Sequence, residues 1–209
     1  MLDLLYPPGC PFCGRINVGG APCEQCCKTV DLMQDDVQGP GECDKVVAAF
    51  LYKGLGRSAV LRYKQLGLRG VGSFLATYVA VAVRRHLDLD ALDLCTSVPS
   101  NPKSVRQRGF SASEELALSV ADMLSMPYLE TLTHTGVTPQ KQLGREERFK
   151  NVQNSYTIVK GLCSTVEQKR ILLVDDVMTT GATLSACAAL LVDAGAASVS
   201  AAVVAVDIV

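Results

Sequence analysis

Apolar residues fall into two rhythms along this chain. Short apolar runs at Lys45 to Tyr52, Leu92 to Val98, Tyr128 to Thr133, Ser155 to Val159, Ile171 to Val174 and Val199 to Val206 have the length and composition of buried strands. Between them, Val71, Phe74, Leu75, Tyr78, Val79 and Ala82 recur at helical spacing and predict a helix over about 70–86. Leu116, Ala117, Val120, Ala121 and Leu124 predict a second helix, opened by the capping box Ser111-x-x-Glu114. Leu184 to Ala194 predicts a third. Two polar stretches interrupt the pattern. Asp31 to Glu42, with Gly39-Pro40-Gly41, reads as a linker or loose hairpin. His134 to Asn151 lacks apolar periodicity and is long enough to be functional. From residue 90 the order is strand, helix, strand, long loop, strand, strand, helix, strand, the alternation of an α/β domain.

The densest chemistry lies at the end of one apolar run. Ile171 to Val174 is followed by Asp175 and Asp176, and then by Thr179, Thr180, Gly181, Ala182 and Thr183 where a helix opens. Hydroxyls, a glycine and free backbone N–H groups at a helix start form an anion cradle. A phosphomonoester suits the cradle, and two adjacent carboxylates suit vicinal hydroxyls. Phosphate plus diol describes a ribose 5-phosphate. A plain strand–loop–helix turn would need only one capping Thr or Asp, fewer polar groups than stand here.

A second loop has related character. Ser97 to Ser104 follows a strand as a tight loop with Pro99 and Ser100, and the cations Lys103, Arg106 and Arg108 come in and just after it, at the sheet edge where open α/β folds bind ligands. Such a loop suits pyrophosphate; the plainer reading is a solvated basic turn. Gln142, Arg145, Arg148 and Lys150 lie in the long polar stretch and are candidates for a lid over a polyphosphate.

Composition narrows the picture. The chain has 209 residues and is 48% hydrophobic, enough for one domain with a real core plus a small module. Its net charge of −1 gives no bulk basic character, so nucleic-acid contact would need local clusters. Lys53, Arg57, Arg62, Lys64 and Arg69, interleaved with Tyr52 and Tyr63, form one. A solvated helix face and a ligand or single-stranded DNA contact are equally good readings of it. No stretch has the length and apolarity of a membrane span, and Leu2 to Tyr6 is too short for a signal peptide, so a cytoplasmic protein without membrane insertion is expected.

Six of nine cysteines lie in the first 43 residues. Cys10-x2-Cys13 and Cys23-x2-Cys26 are two knuckles able to present four thiolates to one tetrahedral, structural Zn²⁺. Four thiolates leave no water position, so no catalytic zinc is expected. The module has few apolar residues, and the metal is expected to substitute for a core. Cys43, Cys95, Cys163 and Cys187 read as core or free thiols.

The run from Arg170 to Leu184 resembles the signature of type I phosphoribosyltransferases, which use phosphoribosyl pyrophosphate (PRPP) with Mg²⁺. The resemblance implies that Asp175 and Asp176 hold the ribose hydroxyls and that Thr179, Thr180, Gly181, Ala182 and Thr183 wrap the 5-phosphate. The whole chain resembles the bacterial ComF/GntX family. The resemblance rests on Leu4-Leu5-Tyr6-Pro7-Pro8, the two knuckles, Arg108-Gly109-Phe110, Gln142 to Asn151 and the Asp175-Asp176 loop. It departs at Ser111-Ala112, where the family often has Asn-Gln. It implies a mostly parallel sheet flanked by helices, preceded by a small zinc ribbon. The expected division is a ribbon over 1–42, a connecting strand and helix region over 43–89, and a phosphoribosyltransferase-like core over 90–209. It also implies a role in natural competence, beside a helicase and single-stranded DNA. Some relatives of the fold carry an acidic residue at the position of Thr179 that serves as general base; this chain does not. A salvage or biosynthetic transferase and a non-catalytic ligand sensor are the alternatives.

Overall fold

The computed structural model describes residues 9–17, 20–135 and 154–207. Its centre is a five-stranded sheet of β1 (Val37–Gln38), β2 (Lys45–Leu51), β3 (Leu94–Ser97), β6 (Arg170–Met178) and β7 (Ser198–Val206) in the order β1-β2-β7-β6-β3. The last four are mutually parallel, and β1 adds an antiparallel edge. Nearly every residue of β6 and β7 is buried, because helices cover both faces. One face packs under α2 (Gly54–Leu66), α3 (Arg69–His86) and α5 (Ala112–Leu124). The other carries α7 (Ala182–Asp193) with the short α6 (Cys163–Val166). β4 (Leu132–His134) and β5 (Tyr156–Ile158) form a separate antiparallel pair.

Residues 43–89, expected as a connecting region, supply β2 to this sheet and two helices to its cover. Helix α2 escaped the periodicity argument because its buried face is Gly56, Ala59, Val60 and Tyr63, mostly small residues. Its fit against α3 is close. Gly72 lies where an added Cβ would meet the Tyr63 ring at 2.8 Å, so the two helices approach through a glycine.

Other expectations are corrected locally. The apolar run at Ile171 does not end the strand before the acids. Pairing with β7 continues through Asp175↔Val203 to Met178↔Val206, and the ladder holds both carboxylates in strand geometry. Residues 102–108 form a helix, α4 (Pro102–Arg108), with Asn101 as its N-cap. Tyr128 makes only an isolated bridge to Cys95, and the strand expected from it begins at Leu132. Ser111 is the N-cap of α5, but its hydroxyl makes no capping bond and donates instead to Ser100 Oγ at 3.1 Å.

The Asp31 to Glu42 stretch is a hairpin arm. β1 pairs with β2, Leu32 bridges Phe50, and Pro40 packs over Gly181. Among the described residues, no helix is long and apolar enough to cross a membrane.

Candidate functional site

The carboxyl edge of the parallel sheet gathers the polar residues. A cleft of about 280 Å³ is lined by Lys64, Pro99, Ser100, Asn101, Ser104, Arg108, Ser113, Tyr156, Asp175, Asp176 and Thr183. A smaller hollow of about 40 Å³ beside it is lined by Asp175 and by Val177 to Leu184. It takes in Thr179, Thr180, Gly181, Ala182 and Thr183. The turn there depends on Gly181, whose φ of +75° favours glycine and whose Cα side is closed by Pro40.

Asp175 and Asp176 are both nearly buried, and adjacent strand positions send them to opposite faces of β6. Asp175 stands toward α7. Burial, and then the charge of Asp176, push its carboxyl up to about 8, against a 2.8 Å hydrogen bond donated by the Asp176 N–H. Burial and the adjacent charge thus favour the protonated form of this carboxyl over an ordinary aspartate's. Asp176 faces α2, and Lys64 Nζ lies 2.9 Å from both of its oxygens.

The loop after β3 is held by its own hydroxyls. Ser113 Oγ donates to the Val98 carbonyl at 2.5 Å, and the Ser100 and Ser113 hydroxyls lie 3.2 Å apart. Pro99 and Ser100 line the cleft, as does Arg108, whose guanidinium sits over the Phe110 ring at 5.8 Å. Lys103 and Arg106 are exposed and do not line it. Helical spacing is the reason: Ser104 and Arg108 are one turn apart on the cleft side, and Lys103 and Arg106 share another. Gln142, Arg145, Arg148 and Lys150 lie outside the described residues.

Lys64, Asn101, Ser104, Ser113 and Tyr156 were not singled out for this site from sequence. Asn101 and Ser104 stood in a loop already suspected. Tyr156 carried no signal, since an aromatic residue in a short strand is ordinary core. Burial raises its hydroxyl's pKa, with Cys187 and Asp175 adding to the rise and Thr183 opposing it.

The basic cluster on α2 is dispersed by the fold. Lys64 turns to Asp176, Arg69 pairs with Glu115, Arg57 lies over the Tyr52 ring at 5.9 Å, and Arg62 packs against Gly14.

The second chemical centre is the cysteine module. Cys10, Cys13, Cys23 and Cys26 bring their four sulfurs within 4.8 Å of one another. The Cys13–Cys23 separation of 3.8 Å matches the edge of a tetrahedron with metal–sulfur bonds of about 2.3 Å. Four thiols in contact cannot all ionise alone. Burial opposes ionisation of Cys10, but backbone N–H groups of Cys13, Cys23 and Phe12 bring it down to about 6. Burial and the neighbouring sulfurs push Cys26 far up. A bound cation removes that conflict, so the donor set fits one metal ion. Cys27 is exposed and outside the set. The second pair lies at the start of α1 (Glu24–Thr29), a helix rather than a ribbon strand.

The module is not held by metal ligands alone. Phe12 is fully buried against Phe50 and Tyr78, with ring centroids 5.5 and 5.8 Å away. Ser58 Oγ donates to the Phe12 carbonyl at 2.7 Å. The expectation that metal replaces a core is thus corrected: the module borrows the core of the main sheet.

Residues 116–207 match the phosphoribosyl transferase domain family. With the parallel sheet and its flanking helices, that match makes the fold a type I phosphoribosyltransferase fold. The chain is 33% identical over 121 residues to DNA utilization protein YhgH of Salmonella typhimurium, covering 56% of this chain and 50% of that protein. It is 32% identical over 118 residues to DNA utilization protein YhgH of Escherichia coli K12, with the same coverage. The chain therefore spans about half the length of the curated relatives it matches. Among solved structures, the allosteric regulatory enzyme of purine biosynthesis is 22% identical with a TM-score of 0.45, over 64% of this chain and 26% of that one. The domain match, the YhgH relatives and the four-cysteine cluster together bear out the resemblance to the ComF/GntX family.

Proposed function

We propose that this chain binds PRPP or a closely related phosphoribosyl ligand with Mg²⁺, holds one structural Zn²⁺, and serves in the handling of incoming DNA during natural competence. The observation that carries the ligand reading is a juxtaposition. The paired acids and the Thr179 to Thr183 turn open on the same sheet edge, in adjoining hollows that share Asp175 and Thr183. Phosphate suits the turn and the diol suits the carboxylates; Mg²⁺ would enter with the ligand, near Asp175 and Asp176, and would offset its negative charge. The zinc reading rests on four sulfurs within 4.8 Å of one another, one pair of them at the edge length of a zinc–thiolate tetrahedron. The DNA reading is supported by the relatives' name, DNA utilization protein; a competence helicase and single-stranded DNA are the partners that the ComF/GntX resemblance implies.

Transfer to an acceptor is a separate claim from binding. A salvage transferase remains the other enzymatic reading, and a non-catalytic sensor the binding one.

The experiment is a thermal shift. PRPP with Mg²⁺ at a hundredfold excess over Kd should stabilise the protein by about 2.7 kcal/mol. Asp175→Asn with Asp176→Asn should abolish that shift. An unchanged melting temperature with saturating ligand would overturn the ligand reading. Loss of transformation by linear DNA on deletion, with growth unaffected, tests the cellular role separately.

A further inference from the structure

We propose that Lys64 is a positioning and specificity residue of the ligand cleft, reading the anionic group carried at C1 of a phosphoribosyl ligand. The proposal rests on the ligand reading above and goes beyond it, because Lys64 lies outside the span matched to the phosphoribosyl transferase domain.

The geometry is specific. Lys64 Nζ sits 2.9 Å from Oδ1 and from Oδ2 of Asp176. An ammonium has three donors, and one is engaged in a hydrogen bond, to Asp176 Oδ1. Among the described residues no residue other than Asp176 accepts from it, and Lys64 lines the cleft together with Arg108. A carboxylate has about four lone-pair sites, so Asp176 keeps two for a diol while Lys64 stays in place. The lysine therefore fixes the rotamer of Asp176 and presents a positive charge next to it. The cleft's lining carries two cations, Lys64 and Arg108, and two acids, Asp175 and Asp176. Lys64 pairs with Asp176, and Arg108 has no carboxylate partner among the described residues, so the wall they share suits a second anionic group on the same ligand.

The placement of Lys64 is built in. Its neighbour Tyr63 is fully buried, its ring is packed against Gly72, and its hydroxyl donates to the Ala112 carbonyl at 2.8 Å. Those contacts fix the rotation of α2 at this turn. The same helix holds the cysteine module through Ser58 and Arg62, so the lysine stands on a support anchored at both ends.

The test compares two ligands that differ at C1. PRPP carries pyrophosphate there and ribose 5-phosphate a hydroxyl. Affinities are measured by calorimetry with Mg²⁺ on the full chain, wild type and Lys64→Met. The variant should weaken PRPP roughly 10- to 100-fold, the worth of one hydrogen bond between charged groups. Ribose 5-phosphate, which shares only the diol contact that Lys64 supports through Asp176, should weaken at least about tenfold less than PRPP. Lys64→Arg should restore much of the PRPP affinity. If loss of the lysine leaves Asp176 an orphaned charge and the protein misfolds, Lys64→Met is combined with Asp176→Asn and compared with Asp176→Asn alone. Equal losses for both ligands, or tighter binding of both, would overturn the assignment and leave Lys64 as a brace or a plug. Wild-type protein that binds neither ligand would overturn the ligand reading, and this proposal with it.

Discussion

The four sulfurs of the cysteine module come from seventeen consecutive residues, Cys10 to Cys26, whereas the cleft draws its lining from Lys64 through Thr183. The module is local in ligands yet distant in support, since Phe12 sits between Phe50 and Tyr78. The cleft is the reverse: its most specific piece, Asp175 to Thr183, is contiguous, while the group opposite Asp176 comes from a helix more than a hundred residues earlier. Helix α2 belongs to both. The contrast teaches that a metal cluster can be chemically self-contained and still depend on the main core for its place.

The largest effect should come from the metal. Structural zinc in small modules contributes about 10–16 kcal/mol of binding energy. The purified protein should hold one equivalent, and Cys10→Ser or Cys23→Ser should lose it. Hydrogen exchange should then show residues 9–30 opening while β2, β6 and β7 stay protected. Zinc-replete protein without metal would reject the site, and loss of protection throughout would show that the module is not separable from the sheet.

Next in size is the packing anchor. Phe12→Ala should cost about 3–5 kcal/mol, as for other fully buried aromatic residues, with metal content unchanged. A smaller loss, well under 1 kcal/mol by denaturant titration, would mean that the ligands alone hold the module in place.

The cleft should respond to pH. Folded Asp175 keeps its proton up to about pH 8, while an unfolded aspartate releases it near 4. The native state binds more protons in between, so this group's stabilising contribution is complete below about pH 4 and declines as pH rises toward 8. Asp175→Asn should flatten that decline and leave the variant more stable than wild type at pH 8, while impairing ligand binding. Parallel stability curves for wild type and variant between pH 4 and 8 would remove the raised carboxyl from the account.

The smallest effect belongs to the turn. Gly181→Ala places a side chain in left-handed backbone and against Pro40, costing about 1–2 kcal/mol without ligand. It should weaken inorganic phosphate and PRPP binding together. Unaltered phosphate binding would locate the cradle elsewhere.

Much was legible because the chemistry is contiguous. Two C-x2-C pairs and an acid-acid-loop-helix run announce their geometry through spacing alone, and buried parallel strands announce themselves as unbroken apolar runs. Helix α2 was hidden because close helix packing selected small residues and thinned its apolar stripe. The extension of β6 through Asp175 was hidden because only the β7 ladder makes strand geometry favourable for two acids.

By itself, then, the sequence determined which groups this protein carries: a thiolate set, a phosphate-sized turn, paired carboxylates and an α/β chain order. Tertiary structure decided what those groups face. Whether Lys64 is a solvated charge or the partner of Asp176, and whether Asp175 is ionised or holds a proton, depends on burial and on contacts between distant residues. Periodicity records which face of an element is covered; it carries no record of what covers it.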